Sequence, residues 1–220
     1  EFPMNLSRNA IEEVVAKRPQ EPVKPYSYYS EEVTFQNEKA NISLAGTLTI
    51  PKKEGNFPVV ILISGSGPQN RDEELLDHKP FLVLSDYLTK NGVAVLRYDD
   101  RGVEKSTGNF NAATSADFAT DVESAIAYLK TRKEINKKKI GLIGHSEGGL
   151  IAPMVASKSK EVAFIVLLAG PGIPGNELLL LQKELIERAM RVSEAEIKEG
   201  LESNAKLFDA VIESVDIQKL

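Results

Sequence analysis

A serine flanked by two glycines, placed between a strand-like and a helix-like run, most constrains what this chain can fold into. The segment Gly144-His145-Ser146-Glu147-Gly148 has the form G-x-S-x-G. Residues 140–143 before it are apolar and predict a buried strand, and residues 149–156 after it are compatible with a helix. The bare pattern arises by chance in about 7% of chains of this length, so its context carries the meaning. A sharp turn from strand to helix is the setting in which it presents a serine nucleophile.

Apolar strands alternate with amphipathic helices along most of the chain. Strands are predicted over residues 59–63, 93–98, 140–143 and 162–168, and helices over 81–91, 115–132 and 149–156. Thr114 and Asp117 have the spacing of a capping box at the start of the second helix. Two earlier runs, 32–35 and 42–50, alternate with period 2 and predict an antiparallel pair at the sheet edge. The predicted fold class is α/β, a mainly parallel sheet with helices on both faces.

The pattern divides the chain into three segments. Residues 1–30 contain spaced prolines followed by tyrosines, which predict an extended linker segment along a surface. Residues 31–175 carry the alternation of strands and helices. Residues 176–220 predict two helices and no strand. Ser193 and Glu196 have capping-box spacing at the start of the second helix.

Composition excludes several kinds of site and partner. The 220 residues contain no cysteine, which rules out disulfides, thiolate metal ligands and a cysteine nucleophile. The net charge is −5 with both signs interspersed, so no basic patch favours nucleic acid. Asp99 and Asp100 follow a strand without further ligand types nearby, so we predict a hydrogen-bonded loop, with Arg101 as a partner, rather than a metal site. We expect no cofactor, and the apolar runs are too short to span a bilayer.

A serine hydroxyl needs an adjacent base, and its tetrahedral intermediate needs hydrogen-bond donors for the oxyanion. The backbone N–H of Glu147, at the start of the helix, is the first predicted donor. The second should come from the glycine-rich loop 64–72, where Ser66 is the candidate and Gly67 the next choice. This loop does not fit a dinucleotide fingerprint, because Asn70 replaces the third glycine and Pro68 obstructs the turn.

Three segments together resemble the α/β-hydrolase family, in its esterase and serine-peptidase-like branch. They are Ser64-Gly65-Ser66-Gly67-Pro68-Gln69-Asn70-Arg71-Asp72, Arg97-Tyr98-Asp99-Asp100-Arg101-Gly102 and Gly144-His145-Ser146-Glu147-Gly148-Gly149. The resemblance covers roughly residues 31–175. It implies an α/β-hydrolase core, hydrolysis through an acyl-serine, and a helical cap formed by residues 176–220. One departure is Glu104, where similar hydrolases usually have glycine.

The resemblance also implies a triad acid and a histidine after the serine, and the chain departs from it here. Neither of its two histidines follows Ser146. His145, which directly precedes the serine, is predicted to pack, and His78 lies in a loop without an assigned role. The acidic residues after the serine lie in helical sequence and are not assigned: Asp209, Glu213 and Asp216. The triad acid and histidine are therefore not found, and we interpret the core as incomplete at its C-terminus and nearly inactive as it stands.

These observations predict a serine hydrolase acting on small-molecule carboxylic esters, thioesters or amides. Two alternatives stay open: a non-catalytic binding protein on a hydrolase fold, and a base supplied by another chain, for instance across a homo-oligomer. The first residue is not Met, and together with the proline- and tyrosine-rich start this favours an exported or periplasmic protein over a cytoplasmic one.

Overall fold

The structure, a computed structural model, describes residues 18–214 as six strands and five helices. In chain order they are β1 (Tyr29–Asn37), β2 (Ile42–Ile50), β3 (Phe57–Ile63), α1 (Pro80–Lys90), β4 (Ala94–Tyr98), α2 (Ser115–Thr131), β5 (Ile135–His145), α3 (Gly148–Ala156), β6 (Val162–Leu168), α4 (Gly175–Ala189) and α5 (Glu194–Glu213). The predicted linker segment 1–30 lies partly outside the described residues, which begin at Arg18. From there to Tyr28 the chain forms turns and bends.

One sheet contains all six strands, in the order β1-β2-β4-β3-β5-β6. β1 pairs antiparallel with β2, and β2 pairs antiparallel with β4. The pairs of β3 with β4 and β5, and of β5 with β6, are parallel. The predicted mainly parallel sheet with an antiparallel pair at its edge is therefore confirmed.

Helices cover both faces of the sheet because the side chains of its central strands alternate between them. Val60, Leu62 and Val95 pack with Phe81 of α1 on one face. Their neighbours in sequence point to the other face and pack with α2 and α3, in a larger cluster that includes Val59, Ile61, Leu96, Val122 and Ile151. Each fully buried aliphatic side chain contributes about 1.5–3 kcal/mol, so these two clusters stabilise the layered architecture.

β5 begins five residues before the predicted strand, and this places the basic run Lys137-Lys138-Lys139 within it. The sequence predicted a strand from Ile140, but Ile135 already pairs with Phe57 of β3, and the register shifts between that pair and the next one. The three lysines are exposed, as their charge requires. The early pairing with the start of β3 extends the strand.

Apolar side chains of β6 remain half-exposed, unlike those of the other parallel strands. Residues 164–168 are 37–45% exposed, although a continuous apolar run is typical of a strand with both faces covered. α4 and α5 pack against each other, and Ile197 is the buried residue of the pair. The predicted capping box of Ser193 and Glu196 is present. That residues 176–220 form a cap over an active site stays a prediction. Among the described residues, no helix is long and apolar enough to cross a membrane.

Glu104 occupies a left-handed backbone conformation, with φ of +46°. This is the position where similar hydrolases usually have glycine, which adopts that conformation without a steric penalty. The side chain is exposed. The turn is nevertheless well formed, since Val103 N–H donates to the Asp100 carbonyl and Ser106 N–H to the Val103 carbonyl. Glu104 in place of glycine therefore leaves the turn intact, but its left-handed conformation is strained.

Replacing Glu104 by glycine should stabilise the protein by about 0.5–1 kcal/mol, because it relieves the left-handed strain. Urea unfolding of Glu104→Gly against the unsubstituted protein measures this difference. Glu104→Ala is the matched control, since it removes the carboxylate but keeps the Cβ, and it should give no gain. An equal gain from alanine would mean that the charge of Glu104, and not its backbone, is unfavourable.

Candidate active site

Ser146 lies in the two-residue turn between the end of β5 at His145 and the start of α3 at Gly148. Its φ is +49°, a value that residues with a Cβ rarely adopt. The Ser146 N–H donates to the carbonyl of Leu168, at the end of β6, over 2.9 Å. The Gly149 N–H donates to the Ser146 carbonyl, also over 2.9 Å. These bonds hold the left-handed turn on both sides of the residue.

The glycines on either side of Ser146 allow backbone to approach backbone. A Cβ at Gly144 would collide with the carbonyl group of Gly148, and a Cβ at Gly148 would collide with the Ile63 carbonyl at the end of β3. Only glycine fits at both positions, because the obstructing atoms belong to the backbone and cannot rotate away. The two glycines therefore bring the start of α3 against the ends of β3 and β5.

The side chain of Ser146 is next to the loop that follows β3. A Cβ built at Gly65 would lie 3.1 Å from the Ser146 Cβ. The structure thus brings the predicted nucleophile together with the loop predicted to hold the second oxyanion donor. A small cavity between this loop and α3 is lined by Ser64, Gly65, Asp100 and Glu147, together with apolar side chains.

The backbone N–H groups of Glu147 and Ser66 have no hydrogen-bond acceptor among residues 18–214. Glu147 is the N-cap residue of α3, where the partial positive charge of a helix N-terminus favours an anion. Its carboxylate accepts a hydrogen bond from Ser115 Oγ over 2.6 Å. The N–H of Gly65, directly before Ser66, is different, because it already donates to Glu73. Both amides predicted as oxyanion donors are therefore unengaged within the described part of the chain.

The loop after β3 is fixed by Asp99 and Asp100, which follow β4. Asp99 accepts hydrogen bonds from the backbone N–H of Arg71, over 2.9 Å, and from its guanidinium, over 2.7 and 3.0 Å. The same guanidinium reaches Glu32 and Thr47, over 2.7 and 2.8 Å. Burial acts to raise the pKa of Asp99, but the bonds and charge of Arg71 outweigh it and lower the pKa.

Asp100 holds the other end of the loop. It accepts from Ser64 Oγ over 2.8 Å and from the Gln69 N–H over 3.0 Å. Burial raises its pKa to about 7, against the effect of these two hydrogen bonds. The predicted hydrogen-bonded loop is thus present, but the predicted partner was wrong. Arg101 binds Asp121 of α2 instead, over 2.8 and 2.9 Å, because its side chain turns into the core beneath that helix.

The two histidines have different surroundings. His145 Nδ1 lies 2.7 Å from Glu73 Oε1, and its side chain is 44% exposed, so it makes a polar contact instead of the predicted packing. His78 lies in a turn before α1, where the Arg18 guanidinium contacts its ring nitrogens over 2.9 and 3.0 Å. Asp209 and Glu213 are exposed on α5, and Asp216 lies outside the described residues. None of these contacts supplies a base or an acid to Ser146.

Sequence reasoning did not identify Arg71 and Glu73, which the structure places at the centre of the loop contacts. The available signal was their position, in a charged run directly after a glycine-rich loop. Within residues 18–214, no group of three or more His, Cys, Asp or Glu side chains is arranged to hold a metal ion.

A family model described as serine aminopeptidase, S33, matches residues 79–217. The chain belongs to this hydrolase family. Esterase EstD of Thermotoga maritima is 31% identical over 157 residues, which are 71% of this chain and 36% of EstD. Acyl-coenzyme A thioesterase 1 of Mus musculus is 27% identical over 56% of this chain and 26% of its own length. The S33-family chain thus spans about a third or less of these relatives.

A solved structure of the Pyrococcus furiosus esterase Pf2001 has the same fold as this S33-family chain. The TM-score is 0.57 at 28% identity, over 82% of this chain and 62% of the esterase. The architecture derived from the strand order therefore agrees with that of an α/β hydrolase.

The stability of this S33-family chain should depend on pH through Asp100. Its folded pKa, about 7, exceeds its ordinary value, so the folded state holds the proton more tightly. The resulting stabilisation is complete below about pH 4 and is lost as the pH rises to about 7. The side chain of Asp100→Asn cannot ionise. Over this pH range its free energy of unfolding should therefore fall by about 1–3 kcal/mol less than that of the unsubstituted protein.

Urea unfolding at several pH values between 4 and 8 measures both curves. The matched control is Asp77→Asn, whose parent side chain is 94% exposed, and its curve should run parallel to that of the unsubstituted protein. Parallel curves for Asp100→Asn as well would show that folding does not raise the pKa of Asp100.

Proposed function

We propose that Ser146 is the nucleophile of a hydrolase that cleaves small carboxylic esters, with thioesters and amides as further substrates of the same chemistry. The observation that carries this proposal is the left-handed turn of Ser146 between β5 and α3, with its Cβ against the backbone of Gly65. Such a turn lifts the hydroxyl off the end of the sheet, where a carbonyl carbon can reach it. Membership of a hydrolase family and the similarity to esterase EstD support it.

The proposed reaction proceeds in two steps. Ser146 Oγ attacks the ester carbonyl and loses its proton to a general base, and the carbonyl oxygen becomes an oxyanion. The N–H groups of Glu147 and Ser66 stabilise that oxyanion, since neither has an acceptor within the described residues. Collapse expels the alcohol, which takes the proton, and leaves an acyl-serine. Water then attacks the acyl group in the same way and releases the acid.

We propose that the general base and the triad acid lie outside these 220 residues. Neither histidine is placed to take the proton of Ser146, because His145 contacts Glu73 and His78 contacts Arg18. The chain also spans only 36% of EstD. The activity is therefore assigned to the full-length gene product. The alternative, a binding protein on a hydrolase fold, is separated from it by the labelling experiment below.

The full-length gene product should react with a fluorophosphonate probe at Ser146 and hydrolyse p-nitrophenyl acetate. Ser146→Ala should abolish labelling and lower kcat by at least about 10⁴-fold, as expected for a nucleophile acting with its base. Labelling followed by peptide mass spectrometry identifies the modified residue. Ser157→Ala, an exposed serine at the end of α3, is the control and should label normally. An unlabelled full-length protein that also fails to hydrolyse ester and thioester panels would favour the binding-protein alternative.

Ser66 should act through its backbone N–H and not through its hydroxyl. Ser66→Ala keeps the N–H, and its kcat should stay within about 3-fold of the parent. Ser66→Pro removes the N–H, and kcat should fall by about 10²–10³-fold, the usual loss of one oxyanion donor. Both are measured on p-nitrophenyl acetate, with thermal unfolding midpoints to confirm folding. A similar loss in both variants would assign the effect to the hydroxyl or to the loop.

A further inference from the structure

We propose that Glu73 is a positioning residue, whose carboxylate holds the loop of residues 64–72 in place beside Ser146. This inference rests on the proposed function, because it assigns the loop a role in stabilising the oxyanion. Glu73 Oε1 accepts the Gly65 N–H over 2.7 Å and lies 2.7 Å from His145 Nδ1. One oxygen atom thus joins the loop after β3 to the residue before the nucleophile.

The carboxylate of Glu73 is buried at this junction, with 7% of its side chain exposed. A buried charge that lost these hydrogen bonds would be costly, so the carboxylate holds its donors more firmly than an exposed one. A Cβ built at Gly65 would lie 3.1–3.3 Å from Ser146 Cβ, His145 Nδ1 and Glu73 Oε1. The peptide of Gly65 is therefore enclosed by the three side chains that the proposal connects.

Glu73 also determines which amide of the loop stays open to a substrate. Because its carboxylate occupies the Gly65 N–H, that amide cannot donate to an oxyanion. The next amide, of Ser66, has no acceptor within the described residues. The Gly65 and Ser66 N–H groups lie in successive peptide planes joined at the Cα of Gly65, which is enclosed by Ser146, His145 and Glu73. Anchoring the Gly65 N–H therefore limits how far the next peptide can turn away from Ser146.

The local backbone around Glu73 is strained in a way that serves this contact. Its φ is +50°, and the turn is held by Asn70, whose carbonyl accepts the Glu73 N–H over 2.9 Å. The Asn70 side chain accepts the N–H groups of Asp72 and Glu74, over 3.0 and 3.3 Å. Left-handed backbone at a residue with a Cβ costs about 1–2 kcal/mol, and such strain persists where the surrounding structure enforces it. Here it directs the carboxylate inward.

The contact has a spectroscopic signature, because an ionised carboxylate can only accept hydrogen bonds. The hydrogen between Glu73 and His145 must then lie on Nδ1, which sets the tautomer of the neutral ring. The ¹⁵N resonances of His145 in the full-length gene product can be assigned as those that a His145→Gln variant loses. We expect a hydrogen on Nδ1 of His145, and Glu73→Ala should shift the ring toward the Nε2–H form.

Kinetics of the full-length gene product test the positioning role. Glu73→Ala should lower kcat on p-nitrophenyl acetate by about 10–100-fold, less than the loss of an oxyanion donor, with KM changed by less than about 3-fold. Glu73→Gln keeps the size of the side chain and one acceptor, so its kcat should lie between those of the parent and of Glu73→Ala. It replaces the alanine variant in the test if that variant does not fold. The matched control Glu74→Gln alters the adjacent exposed carboxylate and should leave both constants unchanged.

The outcomes separate this inference from the proposed function. An active parent whose His145 carries a hydrogen on Nε2 and none on Nδ1 would overturn the contact, and an active parent whose kcat is unchanged in Glu73→Ala would overturn the positioning role. A KM increase with unchanged kcat would also overturn it, because it would indicate a substrate contact. A parent that hydrolyses no ester or thioester removes the proposed function and the catalytic role of Glu73 together, whereas the tautomer still shows whether the contact exists.

Discussion

Close backbone packing at the carboxyl ends of β3 and β5 is the constraint on which the rest of the site depends. Gly144 and Gly148 lack side chains, and only for that reason can the first turn of α3 rest against the Ile63 carbonyl. Gly149 makes a similar approach to Gly170, just after β6. Ser146 lies between the end of β5 and this first turn of α3. Its φ is left-handed because the chain passes from strand to helix within two residues.

Three carboxylates then fix the loop after β3 around that turn. Asp99 binds Arg71, Asp100 binds Ser64 and Gln69, and Glu73 binds Gly65. Four of their bonds go to backbone N–H groups or to a hydroxyl, so they set the path of the main chain and not only the side-chain positions. Glycine-rich segments lose much conformational entropy when ordered, and charge-assisted hydrogen bonds of this kind offset that loss. The loop is thus ordered by its charged surroundings.

The sequence predicted the layers and the turn, because both arise from local patterns. The short apolar runs at residues 59–63 and 140–143 predicted buried strands, and the glycine-flanked Ser146 directly follows the second of them. The partners of Asp99, Asp100 and His145 were not predictable in this way. Arg101 is adjacent to the aspartates in sequence, yet Arg71, 28 residues away from Asp99, is the residue that reaches Asp99. Such pairings depend on how β3 and β4 lie side by side, which no local pattern encodes.

Each of the parallel strands β3, β4, β5 and β6 is followed, at the carboxyl edge of the sheet, by a left-handed residue with a Cβ: Glu73, Glu104, Ser146 and Ala169 in that order. Leu76 and Asp77 share the segment of Glu73, and Asn41 and Arg191 lie in other connections of the described residues. Each costs about 1–2 kcal/mol of backbone strain, part of which a glycine would relieve. At Glu73 and Ser146 a glycine would also remove the side chain that makes the contacts described above. At Glu104 the side chain is exposed, so the strain there has no evident counterpart in a contact. At two of these four positions the backbone strain therefore comes with a side chain that the site uses. The hydroxyl of the candidate nucleophile Ser146 and the carboxylate of Glu73 beside it both require a Cβ.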